Sequence, residues 1–385
     1  ETALANGLLA GGVSVELLGV SPTPAIAFLA AKRGCASAAI TASHNPYLDN
    51  GVKLFANGGV KLSDAQQDAI ESHMTGSATV PSASATQVDL MGEYASHIVG
   101  LFPVLAFANI RVVLDCANGA MSDVAPEVFA RLGATVIVLN DRPNGKNINE
   151  SCGATHPEVV SEAVRLHKAD LGLAFDGDGD RVIAVDHIGD VVDGDHLIAL
   201  AAIDLHKRGK LKSNSVAVTV MTNAGFHQAM TKAGINVITT PVGDRNILVA
   251  FDEHGVVLGG EQSGHIIYRD HATTGDGLLA GAMLVDLVRR EAKPLATLAR
   301  NAMTSLPQTL INIRVAQVVN SPAEDLAAEI TDATKRLDGI GRVLLRASGT
   351  EPLVRVMVEA QYEETAGKVA QALADSVILR LGQHR

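Results

Sequence analysis

Three aspartates at alternate positions, Asp176, Asp178 and Asp180, form the densest concentration of chemistry in the chain. They lie in Asp176-Gly-Asp-Gly-Asp-Arg181, between the apolar runs 171–175 and 182–185. Along an extended strand, neighbours of this spacing stand about 6.5 Å apart, which is wide for sharing one ion. Gly177 and Gly179 let the backbone curl until the carboxylates converge. Once converged, each pair repels by roughly 4 kcal/mol at 4 Å and an effective dielectric of 20. A divalent cation removes that cost, and all-oxygen donors favour Mg2+ or Ca2+. An EF-hand is excluded, because Arg181 and His187 stand where such a loop needs Gly and Glu.

Three further loops carry reactive side chains. The apolar run 38–42 breaks into Ser43-His44-Asn45-Pro46, and Pro46 cannot continue a ladder, so Ser43 falls at a strand's end. A hydroxyl there, beside an imidazole and an amide, reads as a nucleophile or phosphate carrier, or else as a plain turn. Glu261, Ser263 and His265 alternate along Gly260-Glu-Gln-Ser-Gly-His265. A carboxylate beside a hydroxyl suits the adjacent hydroxyls of a sugar, while His265 either donates to a phosphate or shuttles a proton. Arg346, Ser348, Gly349 and Thr350 make an anion cradle of guanidinium, hydroxyls and amides. Arg355 lies just beyond, and either adds charge or pairs with Glu351.

The elements that position these loops follow a repeated scheme. A helix leads to a short apolar strand, a polar loop (43–51, 176–181 or 260–265), and another strand. The alternation predicts parallel βαβ units with active loops at the strands' carboxyl ends. The fold class is therefore α/β. Three related α/β domains with mixed sheets and a smaller C-terminal α+β domain are expected around one central cleft, with divisions at 1–105, 106–209, 210–304 and 305–385. At 385 residues the chain is too long for one core. A net charge of −11 argues against nucleic acid or an anionic membrane as partner. Three isolated cysteines and no signal-like or membrane-spanning run point to a cytoplasmic protein.

Together, Thr41-Ala-Ser-His-Asn-Pro46, the Asp176–Arg181 loop, Gly260-Glu-Gln-Ser-Gly-His265 and Arg346-Ala-Ser-Gly-Thr-Glu-Pro352 resemble the motifs of the α-D-phosphohexomutases, in order and over essentially the whole chain. The resemblance implies a phosphorylated Ser43 that binds Mg2+, one per chain, with Asp176, Asp178 and Asp180. It implies that Glu261 and Ser263 hold sugar hydroxyls, and that Arg346, Ser348, Gly349, Thr350 and Arg355 bind the phosphate not in transfer. Lys53 and His265 would stand near the reacting oxygens, and Arg181 would neutralise the transferring group. Gly349, where many mannose and glucose phosphate mutases carry Asn, points to glucosamine phosphates as substrate, on the route to UDP-N-acetylglucosamine. Mannose or glucose phosphates on the same mechanism are the alternative, and a sugar-phosphate phosphatase a remote one. A homodimer is compatible with the pattern. The family's opening strand and its Gly-Thr-Asp-Gly-type loop have no counterpart here, so several dozen N-terminal residues of the full pattern are expected to be missing.

Overall fold

Residues 1–74, 84–315, 319, 321–347 and 352–381 are described by a computed structural model. They divide into two units, Glu1–Thr222 with Met230–Ala302, and Asn223–Ala229 with Met303–Arg385.

Three of the first unit's sheets carry the loops of interest. The first runs antiparallel through β1 (Ser37–Thr41), β2 (Gly51–Ala56) and β3 (Val60–Lys61). The second contains β4 (Arg111–Asp115), β5 (Thr135–Leu139), β6 (Leu171–Phe175), β7 (Val182–Asp186) and β8 (Val191–Val192), in the order β8-β7-β6-β4-β5. The third contains β9 (Ser215–Thr219), β10 (Asn236–Thr240), β11 (Leu258–Gly260) and β12 (Ile266–Tyr268), in the order β10-β9-β11-β12. Every residue of β6 and β7 is buried, which is why both read as unbroken apolar runs rather than alternating ones. Val160, Ala163 and Val164 of the helix Pro157–His167 cover Val113, Ala174 and Val185 of this sheet.

The expectation of parallel strands holds between β4, β5 and β6 and between β9, β10 and β11, but fails at each of the three loops. There the flanking strands pair antiparallel: β1 with β2, β6 with β7, and β11 with β12. A parallel crossover needs a dozen or more residues, and these loops are far shorter, so the chain must return as a hairpin. Each chemically loaded loop is therefore a hairpin tip, with a strand fixing its backbone at both ends.

Two helices, Met91–Gly100 and Leu295–Ala302, have weak signatures in the sequence. The first buries Tyr94, Ala95 and Ile98, and the second Leu295, Leu298, Ala299 and Ala302 behind Pro294. Both patterns have helical spacing, but flanking glycines in one and short length in the other obscure it.

Tyr94 ties its helix to the start of another. Its buried hydroxyl donates to both oxygens of Asp276 at 2.9 Å, and Asp276 caps the helix Gly277–Glu291 by accepting from Leu279 N–H at 2.9 Å. Burial pushes the Asp276 carboxyl up to about 6 from an ordinary 3.8. A carboxyl raised by folding contributes stability below its unfolded value, and that contribution is lost as pH rises through the folded one. Asn preserves the cap without the charge. Asp276→Asn is thus expected to gain stability over the parent between about pH 4 and pH 6, levelling near about 3 kcal/mol. Paired thermal melts across that window check it, and an offset independent of pH contradicts it.

The second unit is a three-stranded antiparallel sheet of β13 (Gln308–Arg314), β14 (Gly341–Ala347) and β15 (Leu353–Ala360), with β15 central. The helix Glu363–Leu381 packs Ala366, Val369, Ala370, Leu373 and Val377 into a core with Val354, Val356 and Val358. Two short helices, Pro322–Asp325 and Ala327–Lys335, are separated at Leu326. Leu326 is fully buried in that core, so its side chain overrides helical continuity.

Candidate active site

The hairpin between β6 and β7 draws the three aspartates together. One carboxylate oxygen from each of Asp176, Asp178 and Asp180 lies within 4.8 Å of the others, and all three residues are buried. The two glycines act differently. Gly179 takes a left-handed φ of 72°, which turns the tip. Gly177 has an unexceptional φ, but a Cβ there would sit 2.6 Å from the Ser43 carbonyl oxygen, so it is small to let the neighbouring loop approach.

Asp178 and Asp180 have hydrogen-bond partners on one oxygen only. Asp178 Oδ2 accepts from Thr23 Oγ1 at 2.5 Å and Lys53 Nζ at 2.6 Å. Asp180 Oδ2 accepts from Lys53 Nζ at 2.7 Å, and Asp176 Oδ1 from Arg181 N–H at 3.1 Å. Oδ1 of Asp178 and Oδ1 of Asp180 are buried without a hydrogen-bond partner. Burial and then the charges of Asp180 and Asp178 hold the Asp176 carboxyl well above the carboxylate range. Burial also opposes ionisation of Asp180, but His265 and Lys53 outweigh it and hold that carboxyl well below the range. For Lys53, burial is overcome by Asp180 and Asp178, which keep the ammonium charged far past neutrality. Three crowded buried carboxylates with two oxygens lacking partners are the donor set of a metal site, and these residues fit a hard divalent cation.

Ser43 stands at the edge of this cluster. Its φ of 52° is one an L-residue adopts only when its surroundings enforce it. Ser43 N–H donates to Thr41 Oγ1 at 2.8 Å, and the hydroxyl donates to Asp176 Oδ2 at 3.3 Å. His44 Nδ1 lies 3.5 Å from the same hydroxyl; burial and then Arg181 lower its pKa, favouring the neutral imidazole.

His265 closes the far side. It is buried, with Nδ1 3.6 Å from Asp180 Oδ1 and Nε2 3.5 Å from Asp244 Oδ2. Gly275 N–H donates to Nε2 at 3.2 Å, which leaves the proton of a neutral ring on Nδ1, towards Asp180. Asp244 in turn pairs with Lys61. Arg181 Nε is 3.8 Å from Asp180 Oδ1. Glu261 shares the hairpin loop of His265, half-buried, with Oε1 accepting from Gly243 N–H at 3.2 Å; Ser263 is exposed at the tip.

The structure thus brings together Ser43, Lys53, Asp176, Asp178, Asp180, Arg181 and His265. Thr23, Lys61, Asn149 and Asp244 join them without having been singled out from sequence. Of these, only Thr23 carried a signal, in the pair of prolines around it at a helix start.

In the second unit, Arg346 on β14 lies directly opposite Arg355 on β15. Burial and the facing Arg355 lower the Arg346 pKa, and Arg355 Nε is buried without a partner. Like charges opposed across a ladder destabilise it unless an anion joins them. Ser348, Gly349 and Thr350 of the expected cradle, and Glu351, lie outside the described residues.

Comparison with known proteins agrees with the loops. Family models described as phosphoglucomutase/phosphomannomutase α/β/α domains I, II and III match residues 1–80, 92–189 and 193–306, and the model of the C-terminal domain matches 310–376. The solved phosphoglucomutase/phosphomannomutase family protein from Burkholderia thailandensis superposes with a TM-score of 0.80 at 25% identity, over 98% of this chain and 85% of its own. N-acetylphosphoglucosamine mutase of Aspergillus fumigatus, solved with GlcNAc-6P and magnesium, shares the fold at a TM-score of 0.73 and 19% identity, over 97% of this chain and 93% of its own. The chain belongs to the α-D-phosphohexomutase superfamily, isomerases that act as intramolecular phosphotransferases. Its place there is with the phosphoglucosamine mutases. That of Parafrankia sp. (strain EAN1pec) is 48% identical over 98% of this chain and 83% of its own, and that of Rhodococcus opacus (strain B4) 47% identical over 98% and 86%. Among the described residues no helix is long and apolar enough to cross a membrane.

Proposed function

We propose that the chain interconverts glucosamine 6-phosphate and glucosamine 1-phosphate, the step before N-acetylated nucleotide sugars and cell-wall precursors, and that Ser43 carries the phosphoryl group between them. The observation that carries this reading is the Ser43 hydroxyl, 3.3 Å from an aspartate of a buried three-carboxylate cluster. In the first half-reaction the Ser43 Oγ–P bond breaks as a sugar oxygen takes the phosphoryl group, and the proton that oxygen loses ends on Ser43 Oγ. In the second, the bisphosphorylated sugar returns its other phosphoryl group to Ser43.

Such transfer depends on positioning and electrostatic stabilisation more than on covalent help. Asp176, Asp178 and Asp180, with the phosphate on Ser43, would hold Mg2+. When bound, the ion supplies positive charge to the transferring oxygens. Lys53, anchored by two aspartates, and Arg181 at the loop's end direct further positive charge to the same place. His265 would stand beside the reacting oxygens to assist proton transfer, its Nε2 accepting from Gly275 N–H. Glu261 and Ser263 would hold sugar hydroxyls in two orientations. Arg346 and Arg355, with Ser348, Gly349 and Thr350, would take the phosphate that is not reacting.

Turnover of glucosamine 6-phosphate measured beside mannose and glucose phosphates tests the assignment. The highest kcat/KM is expected for the amino sugar. A higher value for mannose or glucose phosphate overturns the substrate, and inorganic phosphate released without isomerised product overturns the mutase.

A further inference from the structure

The strained backbone at Ser43 is held from outside its own hairpin. Asn149 belongs to the long connection after β5, and its backbone is itself left-handed, with φ 57°. Its N–H donates to Ala117 O at 2.9 Å, and the residue is only 9% exposed. Its side-chain nitrogen donates to two carbonyls of the Ser43 loop, Ser43 O and Asn45 O, each at 2.8 Å. With a carbonyl as partner on both sides, that atom has to be the amide NH2. Ser43 O also accepts from Gly177 N–H at 3.1 Å, from the aspartate hairpin. Ile148, beside Asn149, packs against Gly177 as well, where a Cβ would meet its Cδ1 at 2.5 Å. One amide thus fixes the Ser43–His44 and Asn45–Pro46 peptides, at the point where the aspartate loop meets the serine loop.

We infer that Asn149 is a positioning residue for the phosphoryl carrier: its amide clamps the Ser43 and Asn45 carbonyls and so aims the Ser43 Oγ at the carboxylate cluster. The inference rests on the reading of Ser43 as that carrier. Sugar recognition is left to other loops, so the clamp acts on the transfer step rather than on substrate capture. A displacement of about 1 Å at a reacting group costs on the order of 100-fold in rate. Asn and Asp tolerate left-handed backbone equally and match in shape, but Asp cannot donate.

The test uses the full chain carrying Asn149→Asp, Asn149→Ala or Ser151→Ala. Ser151 is exposed two residues on with a φ of 53°, and controls for strain in the same connection. Both Asn149 variants are expected to lose about 30- to 100-fold in kcat with KM for the sugar phosphate within about twofold. Ser151→Ala is expected to stay near the parent. Hydrogen exchange followed on peptides covering 40–50 should be faster in Asn149→Asp and unchanged over 171–175. Parent-like exchange in 40–50 overturns the clamp. Faster exchange with parent-like kcat overturns its part in catalysis. KM and kcat worsening together also overturn it, since that is substrate capture. Failure of the carrier reading shows separately, as turnover retained by Ser43→Ala.

Discussion

If Ser43 Oγ carries the phosphoryl group as proposed, Ser43→Ala is expected to reduce mutase turnover below about a thousandth of the parent, because both half-reactions then pass through that atom. The fold should survive. Ser43 is half-buried, its side chain bonds Asp176 at a long 3.3 Å, and the contacts that shape its loop come from backbone atoms, Ser43 N–H and O. Those contacts remain with alanine, although the left-handed φ costs alanine of order 1 kcal/mol. A melting midpoint within a few degrees of the parent is therefore expected. Measured with stringently purified protein, turnover above a few per cent would remove Ser43 from the chemistry. Intact-mass analysis gives a second readout. The parent incubated with glucose 1,6-bisphosphate, a bisphosphorylated sugar, should gain one phosphate, and the variant none.

The chemistry was more legible in the sequence than the architecture that delivers it. The aspartate triad could be read because repulsion among three carboxylates demands a counter-charge, and the alternating glycines showed how they converge. β6 and β7 were legible because strands covered on both faces are apolar throughout. Topology was less so. Helix–strand alternation suggests parallel pairing, and only loop length marks the three hairpins. Residues that act through the backbone left almost no trace. Asn149 reads as one more loop amide until the connection after β5 meets the Ser43 loop, and its side-chain partners are more than 100 positions away. Lys61 and Asp244 are equally plain in sequence, since pairing across 183 positions is a product of the fold. The helix Met91–Gly100 reaches the start of another helix through the Tyr94 hydroxyl on Asp276, a contact that composition does not reveal.

Asp178→Asn separates catalytic from structural use of the carboxylate cluster. Asp178 Oδ2 accepts from Thr23 and Lys53, and an asparagine oxygen can keep accepting from both, so the packing is retained. The charge is lost. With it goes part of the attraction that holds Lys53 protonated and part of the donor set for the cation. In the metal-free protein the loss is expected to be nearly neutral. Removing one of three crowded buried carboxylates relieves repulsion while weakening one ion pair, and a buried pair is a poor source of net stability. Metal-free melting midpoints should agree within a few degrees. Mg2+ should then distinguish the two proteins. A ligand at 100 times its Kd stabilises the native state by about 2.7 kcal/mol, so the parent midpoint should rise by several degrees while the variant's stays nearly flat at the same concentration. Turnover of the variant should fall at least about 100-fold and recover only partly at high Mg2+, because an amide in place of a carboxylate holds the ion less well in the position transfer requires. A variant midpoint that responds to Mg2+ as the parent's does would exclude Asp178 as a ligand. Parent activity untouched by excess chelator would exclude the metal altogether, leaving Lys53 and Arg181 to carry the electrostatic stabilisation alone.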